Sequence, residues 1–548
     1  MFATMKRRTL IELAAASSLL AACTRVGGPS ETAGARKPYT KPHVLRWADG
    51  EDPVGLNPLS NVHAVTSWLA ELWGGWLFRN SAEFEPVPEL CTTVPTVENG
   101  LLSRDGRRIE YRLREALWSD GVPFTSHDVA FSVKVIQDPN TIVTSREGWE
   151  LIERVETPND RTAIFHLKDT YSAWASTFFS TGGANPCLLP MHIVGSQNPN
   201  TGTYNEKPVG TGPFVIDAWL RSQSVEMSAN PRYWRGLPKL EKISYKIIPN
   251  DETLMTQLHA HEIDLWVQMN PAKLAEATAV DGIDIIRKRS TYWRHFDCNC
   301  SHPALSEIAV RQALNHAIDR KSIIDKILHG AGDLNWSVLS PNSFAYNPSV
   351  KQYPFDLAKS NALLDAAGWK RGPNGIRSKG GQDLHFAFAA GAGNATWAAI
   401  IELVRAAWTQ IGVSFDFKTY QTDLYFAPFE KGGILQVGKF DLSAFQWGNT
   451  ANATGAINLY ASDRIPPKGQ NDLRYVNPKL TDCLHRATQT LVKAEQKVLL
   501  QEAQAIIAEE CPTFPIAQSV DIYAANSDLK GYNPNSLSPF DFMMDVDI

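Results

Sequence analysis

Residues 104–139 read RDGRRIEYRLREALWSDGVPFTSHDVAFSVKVIQDP. Ile109, Tyr111 and Leu113 alternate with Glu110, Arg112 and Arg114, the period of a half-buried strand. Trp118-Ser119-Asp120-Gly121 predicts a turn, with Gly121 free to take positive φ. Thr125 stands three residues before Asp128, the spacing of a capping box with Asp in place of the usual Glu or Gln. Val129, Val133 and Ile136 follow at helical spacing, and Asp138-Pro139 stops the helix. Strand, turn and capped helix therefore follow one another with a tryptophan at the corner.

Outward from this stretch the chain is long. At 548 residues it exceeds one ordinary core, and two or three domains are expected. Apolar and charged contents of 43% and 20% are those of a folded soluble protein. A net charge of −5 and a pI near 6.2 give no attraction to nucleic acid or anionic lipid. Sixteen Trp, 15 Tyr and 23 Phe supply core packing and, in a cleft, faces for a stacking or apolar ligand.

The string from Trp118 to Ser132 resembles the signature of the family 5 solute-binding proteins of ABC importers, the dipeptide, oligopeptide and nickel type. The resemblance continues in order. Pro208-Val-Gly-Thr-Gly-Pro-Phe214 and Asn230-Pro-Arg-Tyr-Trp234 match family patterns, as do Val310 to Arg320 and Asp356 to Gly368, the last with Leu357 where Pro is usual. It implies an α/β, periplasmic-binding-protein-like fold of two lobes (type II, cluster C) with an extra subdomain inserted in the first lobe. The limits expected are lobe I over 44–290, lobe II over 291–511 and a return segment, 512–548, to lobe I.

The N-terminus indicates the compartment. Lys6-Arg7-Arg8 is a basic n-region, Leu10 to Leu20 a short apolar segment, and Leu20-Ala-Ala-Cys23 a lipobox-like end. Residues 1–23 thus read as a lipoprotein signal peptide, with Cys23 the lipidated residue. The apolar segment is too short to span a bilayer. Arg7-Arg8 suits either a Sec or a twin-arginine route. Residues 24–43 are Gly-, Pro-, Ser- and Thr-rich and read as a flexible tether. The expected location is extracytoplasmic, with membrane contact through the lipid anchor only.

In peptide-binding relatives, the resemblance implies, the loop after an aromatic strand carries an Asp that pairs with the peptide's α-ammonium. Here that loop reads Trp447-Gly-Asn-Thr-Ala-Asn-Ala-Thr454, with no carboxylate. A buried cation needs a buried anion, so either a carboxylate elsewhere in the cleft serves or the ligand is neutral at that point. Trp447, Gly448, Asn449, Thr450 and Asn452 are the candidate ligand residues, with Trp68 and Trp293 as aromatic walls. Trp68, Trp73 and Trp76 are read first as packing under the opening strand, and a place in the cleft is the alternative. A peptide-like solute, an oligosaccharide and a nickel or other metal chelate all remain open.

Other chemistry finds little support. His259 and His261 diverge by about 200° on a helix, so they do not form a zinc helix. Gly433 to Lys439 is followed by Phe440, not by the Ser or Thr of a phosphate loop. Cys91, Cys187, Cys298, Cys300, Cys483 and Cys511 allow 15 pairings and fix none. Neither Gly-x-Ser-x-Gly nor His-Glu-x-x-His occurs, so no catalytic residue, metal or cofactor is assigned. The expected partners are a small-molecule or peptide ligand and the transmembrane subunits of an ABC permease, with no nucleic acid and a monomeric state. A secreted hydrolase and a receptor-coupled sensor are the rival classes.

Overall fold

The computed structural model describes residues 36–548 apart from 62, 183, 184, 450 and 452, and gives 456–458 by backbone alone. The proposed signal peptide, Cys23 and most of the tether lie outside the described residues. Residues 36–40 hold one turn, in which Thr40 N–H donates to Lys37 O at 3.0 Å. Residues 41–548 form one compact unit.

The opening stretch folds as read. Strand Arg108–Arg112 leads through Gly121, at φ 97°, to helix Ser126–Gln137. Asp128 shows why a short acid occupies the capping position. Its Oδ2 accepts from the Thr125 backbone at 2.9 Å and from the Trp118 indole at 3.4 Å. Its Oδ1 accepts from Met191 N–H at 3.0 Å. One buried carboxylate thus joins helix start, corner tryptophan and a distant chain segment. The helix packs on a three-stranded antiparallel sheet of Arg108–Arg112, Thr162–Leu167 and Ile152–Asn159, which is the inserted subdomain.

A mixed 11-stranded sheet organises the rest. On one side Val44–Asp49 pairs in parallel with Lys242–Ile247 and Leu265–Trp266. On the other, His385–Gly391 pairs in parallel with Ser414–Tyr420 and Leu442–Gly448. Two long strands join the sides, Ile283–Cys298 with 16 residues and Thr513–Asn526 with 14. They run antiparallel to each other over nearly their whole length, well beyond the usual five or six residues. Separate cores flank them. Leu45, Trp47, Trp73 and Tyr245 belong to the first, and Phe296, Phe388, Trp408 and Phe514 to the second. Trp47 is fully buried and stacks on Tyr245 at 4.0 Å; burying such a ring contributes about 2–3 kcal/mol.

Local detail completes the picture of the elements around the cores. The aromatic helix is Ala64–Trp73, and Phe78 opens strand Phe78–Asn80. Gly210 and Gly212 do not enable a positive-φ turn. A Cβ on Gly210 would lie 1.7 Å from the Trp73 carbonyl oxygen, and one on Gly212 2.5 Å from that of Leu72. These glycines let the backbone press against the helix end, where Gly212 N–H donates to Trp73 O at 3.0 Å. Helix Asp251–His259 is followed by strand Leu265–Trp266. Of residues 172–179 only Trp174–Thr177 is helical, because Phe179 turns to φ 54°. Ser306 closes a preceding turn on Pro303 O at 2.7 Å, leaving Glu307 as the cap of Ile308–His316. The helical stretch over 481–509 is a hairpin of Pro478–Gln489 and Lys493–Glu510. Its break is sealed by Thr490 Oγ1 on Arg486 O at 2.7 Å and Gln496 Nε2 on Ala487 O at 2.9 Å. The final strand is the whole Thr513–Asn526 crossover.

Candidate functional site

Strand Leu442–Gly448 lies beside the first crossover strand, with Trp447 opposite Trp293 and Gly448 opposite Tyr292. The Tyr292 ring covers Gly448 so closely that a Cβ there would meet Tyr292 Cε1 at 3.0 Å. At this level the first crossover strand bulges, its register with the second shifting between Arg289 and Trp293. Such a bulge turns carbonyls out of the ladder, and buried carbonyls need partners. Gln518, fully buried, donates from Nε2 to Ser290 O at 2.7 Å and Tyr292 O at 2.8 Å. Asn449 N–H donates to Thr291 O at 3.0 Å. The candidate loop is therefore tied to the bend that joins the two lobes.

Two chambers open at this loop. The first, about 260 Å³, is walled by Trp149, Tyr171, Thr177 and Asn185 of lobe I and by Trp447 and Tyr460 of lobe II. The second, about 510 Å³, is walled by Ser67 and Trp68 of lobe I, Gln446 of lobe II, and Tyr292, Arg294 and Asp521 of the crossover strands. Gly448, Asn449 and Leu537 belong to both walls. Asn449 Nδ2 is buried and has no hydrogen-bond partner among the described residues. Leu537 arrives on the return segment, which is anchored to lobe I where Asp541 accepts from Thr181 Oγ1 at 2.8 Å and Arg79 Nη1 at 3.1 Å.

The chambers differ in charge. Glu147 is the one charged residue on the described wall of the first, and it is exposed. The second holds opposite charges. Arg294 donates from Nη1 to Ser519 Oγ at 2.8 Å. Gln446, in the amide orientation that satisfies both sides, accepts from Arg294 Nη2 at 3.2 Å. Both partners are neutral, and burial lowers the guanidinium to about 10, with Asp521 opposing. Asp521 Oδ2 is buried without a partner among the described residues. Burial pushes its carboxyl up to about 7 against the pull of the Ser290 hydroxyl and Arg294. Desolvation, not a like charge, is the cause.

Of the candidate residues, Trp447, Gly448 and Asn449 line the first chamber, and Gly448, Asn449 and Trp68 the second. Trp293 lies on neither wall. It is 1% exposed, stacked on His295 at 4.2 Å, and its inward place follows from strand alternation beside the outward Tyr292. Thr450 and Asn452 lie outside the described residues. Sequence reasoning passed over Tyr292, Arg294, Gln518 and Asp521; the alternation of polar residues on the two long strands is the signal they left. The six described cysteines are free thiols. His259 faces Glu276 at 3.5 Å, and no group of His, Cys, Asp and Glu suited to a metal occurs among the described residues. No helix among them is long and apolar enough to cross a membrane.

Two lobes joined by paired crossover strands, with ligand-sized chambers at the join, define a cleft-type binding protein. The match of residues 65–464 to the model "Bacterial extracellular solute-binding proteins, family 5 Middle" is specific, and the chain belongs to that family. It is 32% identical to Protein XP55 of Streptomyces lividans, over 58% of this chain and 56% of that protein's length. It is 26% identical to Heme-binding protein A of Haemophilus influenzae, over 96% of this chain and 97% of that protein. It is 24% identical to Oligopeptide-binding protein AppA of Bacillus subtilis, again over 96% and 97%. The solved structure of that AppA in complex with a nonapeptide superposes with a TM-score of 0.72 at 21% identity, covering 92% of this chain and 98% of that one. As the family description states, its members are extracellular solute-binding proteins.

Proposed function

We propose that this chain captures a peptide-like solute between its lobes and hands it, chemically unchanged, to the transmembrane subunits of an ABC permease. It works as a monomer held to the membrane by a lipid on Cys23, after export on the signal formed by residues 1–23. The lobe limits proposed are 44–290 and 291–511, with 512–548 returning to lobe I. One observation carries the reading: Gly448 and Asn449 line both chambers, Trp447 lines the first, and the Asn449 amide nitrogen is buried there without a hydrogen-bond partner among the described residues. A buried donor without a partner costs about 1–3 kcal/mol, which a ligand carbonyl removes. Family membership and the oligopeptide-binding relative support the same reading.

A metal chelate is the second reading, favoured by the heme-binding relative. An oligosaccharide is favoured by the neutral hydroxyls, amides and aromatic faces of the first chamber. A thermal-shift screen of peptides, oligosaccharides and metal chelates decides among them, because a ligand of the folded state raises Tm by mass action. The expected hits are peptides, with Trp447→Ala or Asn449→Ala abolishing the shift while the proteins stay folded. An unchanged shift in both variants places the site elsewhere. Recovery of cleaved peptide instead of intact peptide would make the protein a hydrolase.

A further inference from the structure

The second chamber contains a carboxylate and a guanidinium on neighbouring crossover strands; the Ser290 hydroxyl holds the carboxylate on one side, and neither group is in an ion pair among the described residues. The other carboxylate oxygen, Asp521 Oδ2, is buried without a partner among the described residues. Arg294 spends its hydrogen bonds on Ser519 and Gln446, which carry no charge. A charge in such a place is destabilising unless a counter-charge joins it. We infer that Asp521 and Arg294 form a charge-reading subsite for a short zwitterionic peptide, with the ligand ammonium at Asp521 and its carboxylate at Arg294. This rests on the peptide reading above and adds to it the residues that read the two ends.

The spacing sets the length. Arg294 is bonded to Ser519, and Ser519 and Asp521 are two residues apart on one face of one strand. Two strand residues span about 7 Å, so the charges are separated by roughly that distance. An extended chain covers about 3.3–3.6 Å per residue, and two residues match it. The 510 Å³ of the chamber accommodates a dipeptide with side chains. Tyr292, half exposed, and Trp68 offer apolar faces beside the charges, and Asn449 Nδ2 stands ready for the central carbonyl. The loop after Trp447, which lacks a carboxylate, then has no need of one, because the anion comes from the second crossover strand. Both charges sit at the bulge where the lobes join, so the ligand ends are held by the hinge strands instead of by either lobe alone.

The test uses the full-length protein and three probes: an equimolar dipeptide pool with free ends, the same pool N-acetylated, and the same pool C-amidated. Binding is read by native mass spectrometry and by titration of the strongest binder. Wild type is expected to lose at least tenfold in affinity on either blockage. Asp521→Asn is expected to bind the free and N-acetylated pools alike while still discriminating against the amide. Arg294→Gln is expected to show the converse. This crossed pattern is a double-mutant cycle between protein and ligand, and loss of folding cannot imitate it. Wild-type discrimination retained in both variants, with peptide still bound, overturns the inference alone. Failure of wild type to bind any dipeptide, alongside binding of a chelate or oligosaccharide, overturns the inference together with the peptide reading.

Discussion

The two chambers share a strand end yet are made by different kinds of chain. The first is shaped by loops of the inserted subdomain facing Trp447 and Tyr460, and its inner wall is aromatic and neutral. The second is shaped by the crossover strands, and it holds Arg294 and Asp521. Loops supply contour and can vary in length without disturbing a sheet. The crossover strands cannot, because they are paired residue against residue on either side of the bulge. A charge placed there is held in a fixed frame, while a contact placed on the loops follows the lobe that bears it. The difference suggests a division of labour, in which the crossover strands read ligand ends and the lobes read ligand bulk.

The severest way to break that contrast is to loosen the frame itself. Gln518→Leu removes the side chain that satisfies Ser290 O and Tyr292 O. Two buried carbonyls lose partners, at about 1–3 kcal/mol each, so a loss of about 2–5 kcal/mol is expected by denaturant unfolding. Ligand discrimination by end charge should fall with it, and discrimination by side-chain bulk should survive. Loss of both in equal measure would mean that the chambers are one site.

A milder probe sharpens the charge difference. Asp521 holds its proton up to about 7 in the folded protein, against an ordinary 3.8. The folded state therefore binds more protons between those values, so this group's contribution is present in full below about pH 4 and is lost as pH rises through 7. Asp521→Asn stays neutral throughout. Its Tm relative to wild type should rise between pH 5 and pH 8, by an amount equivalent to about 2–3 kcal/mol in stability. Asp49, raised by burial to about 6, and Asp472, raised by burial to about 7, act equally in both proteins and cancel in the comparison. A pH-independent difference would mean that the Asp521 carboxylate is solvated.

The same contrast explains what could be read in advance. The corner at Trp118, the cap at Thr125 and Asp128, and the first lobe's strand at Val44–Asp49 are local, each written within a dozen residues. The segment after Trp447 was legible as a wall because a motif points to it. The charges were not, since Arg294 and Asp521 lie on two strands far apart in sequence and come together only beside a bulge whose register no local pattern specifies. The role of Gly210 and Gly212 is illegible in the sequence for a related reason. Glycine signals either a positive φ or a close approach, and only the position of Trp73 tells which. Trp293 failed as a wall residue because it alternates with the outward Tyr292 and so points into the core.

The smallest expected effect belongs to Gly448, which both chambers share. An added Cβ would stand 3.0 Å from Tyr292 Cε1 and 3.3 Å from Cζ, closer than van der Waals contact. Tyr292 is 49% exposed, so its ring can yield by a few tenths of an ångström without straining the core. Gly448→Ala should therefore cost less than about 1 kcal/mol in stability. The displaced ring narrows the second chamber, where Tyr292 is a wall, and leaves the first, where it is not. Affinity for free-ended dipeptides should fall about three- to tenfold, equivalent to roughly 0.7–1.4 kcal/mol. Any ligand confined to the first chamber should bind as before. Equal losses for both would show that the ring, though it covers one glycine on one strand, governs the width of the whole cleft.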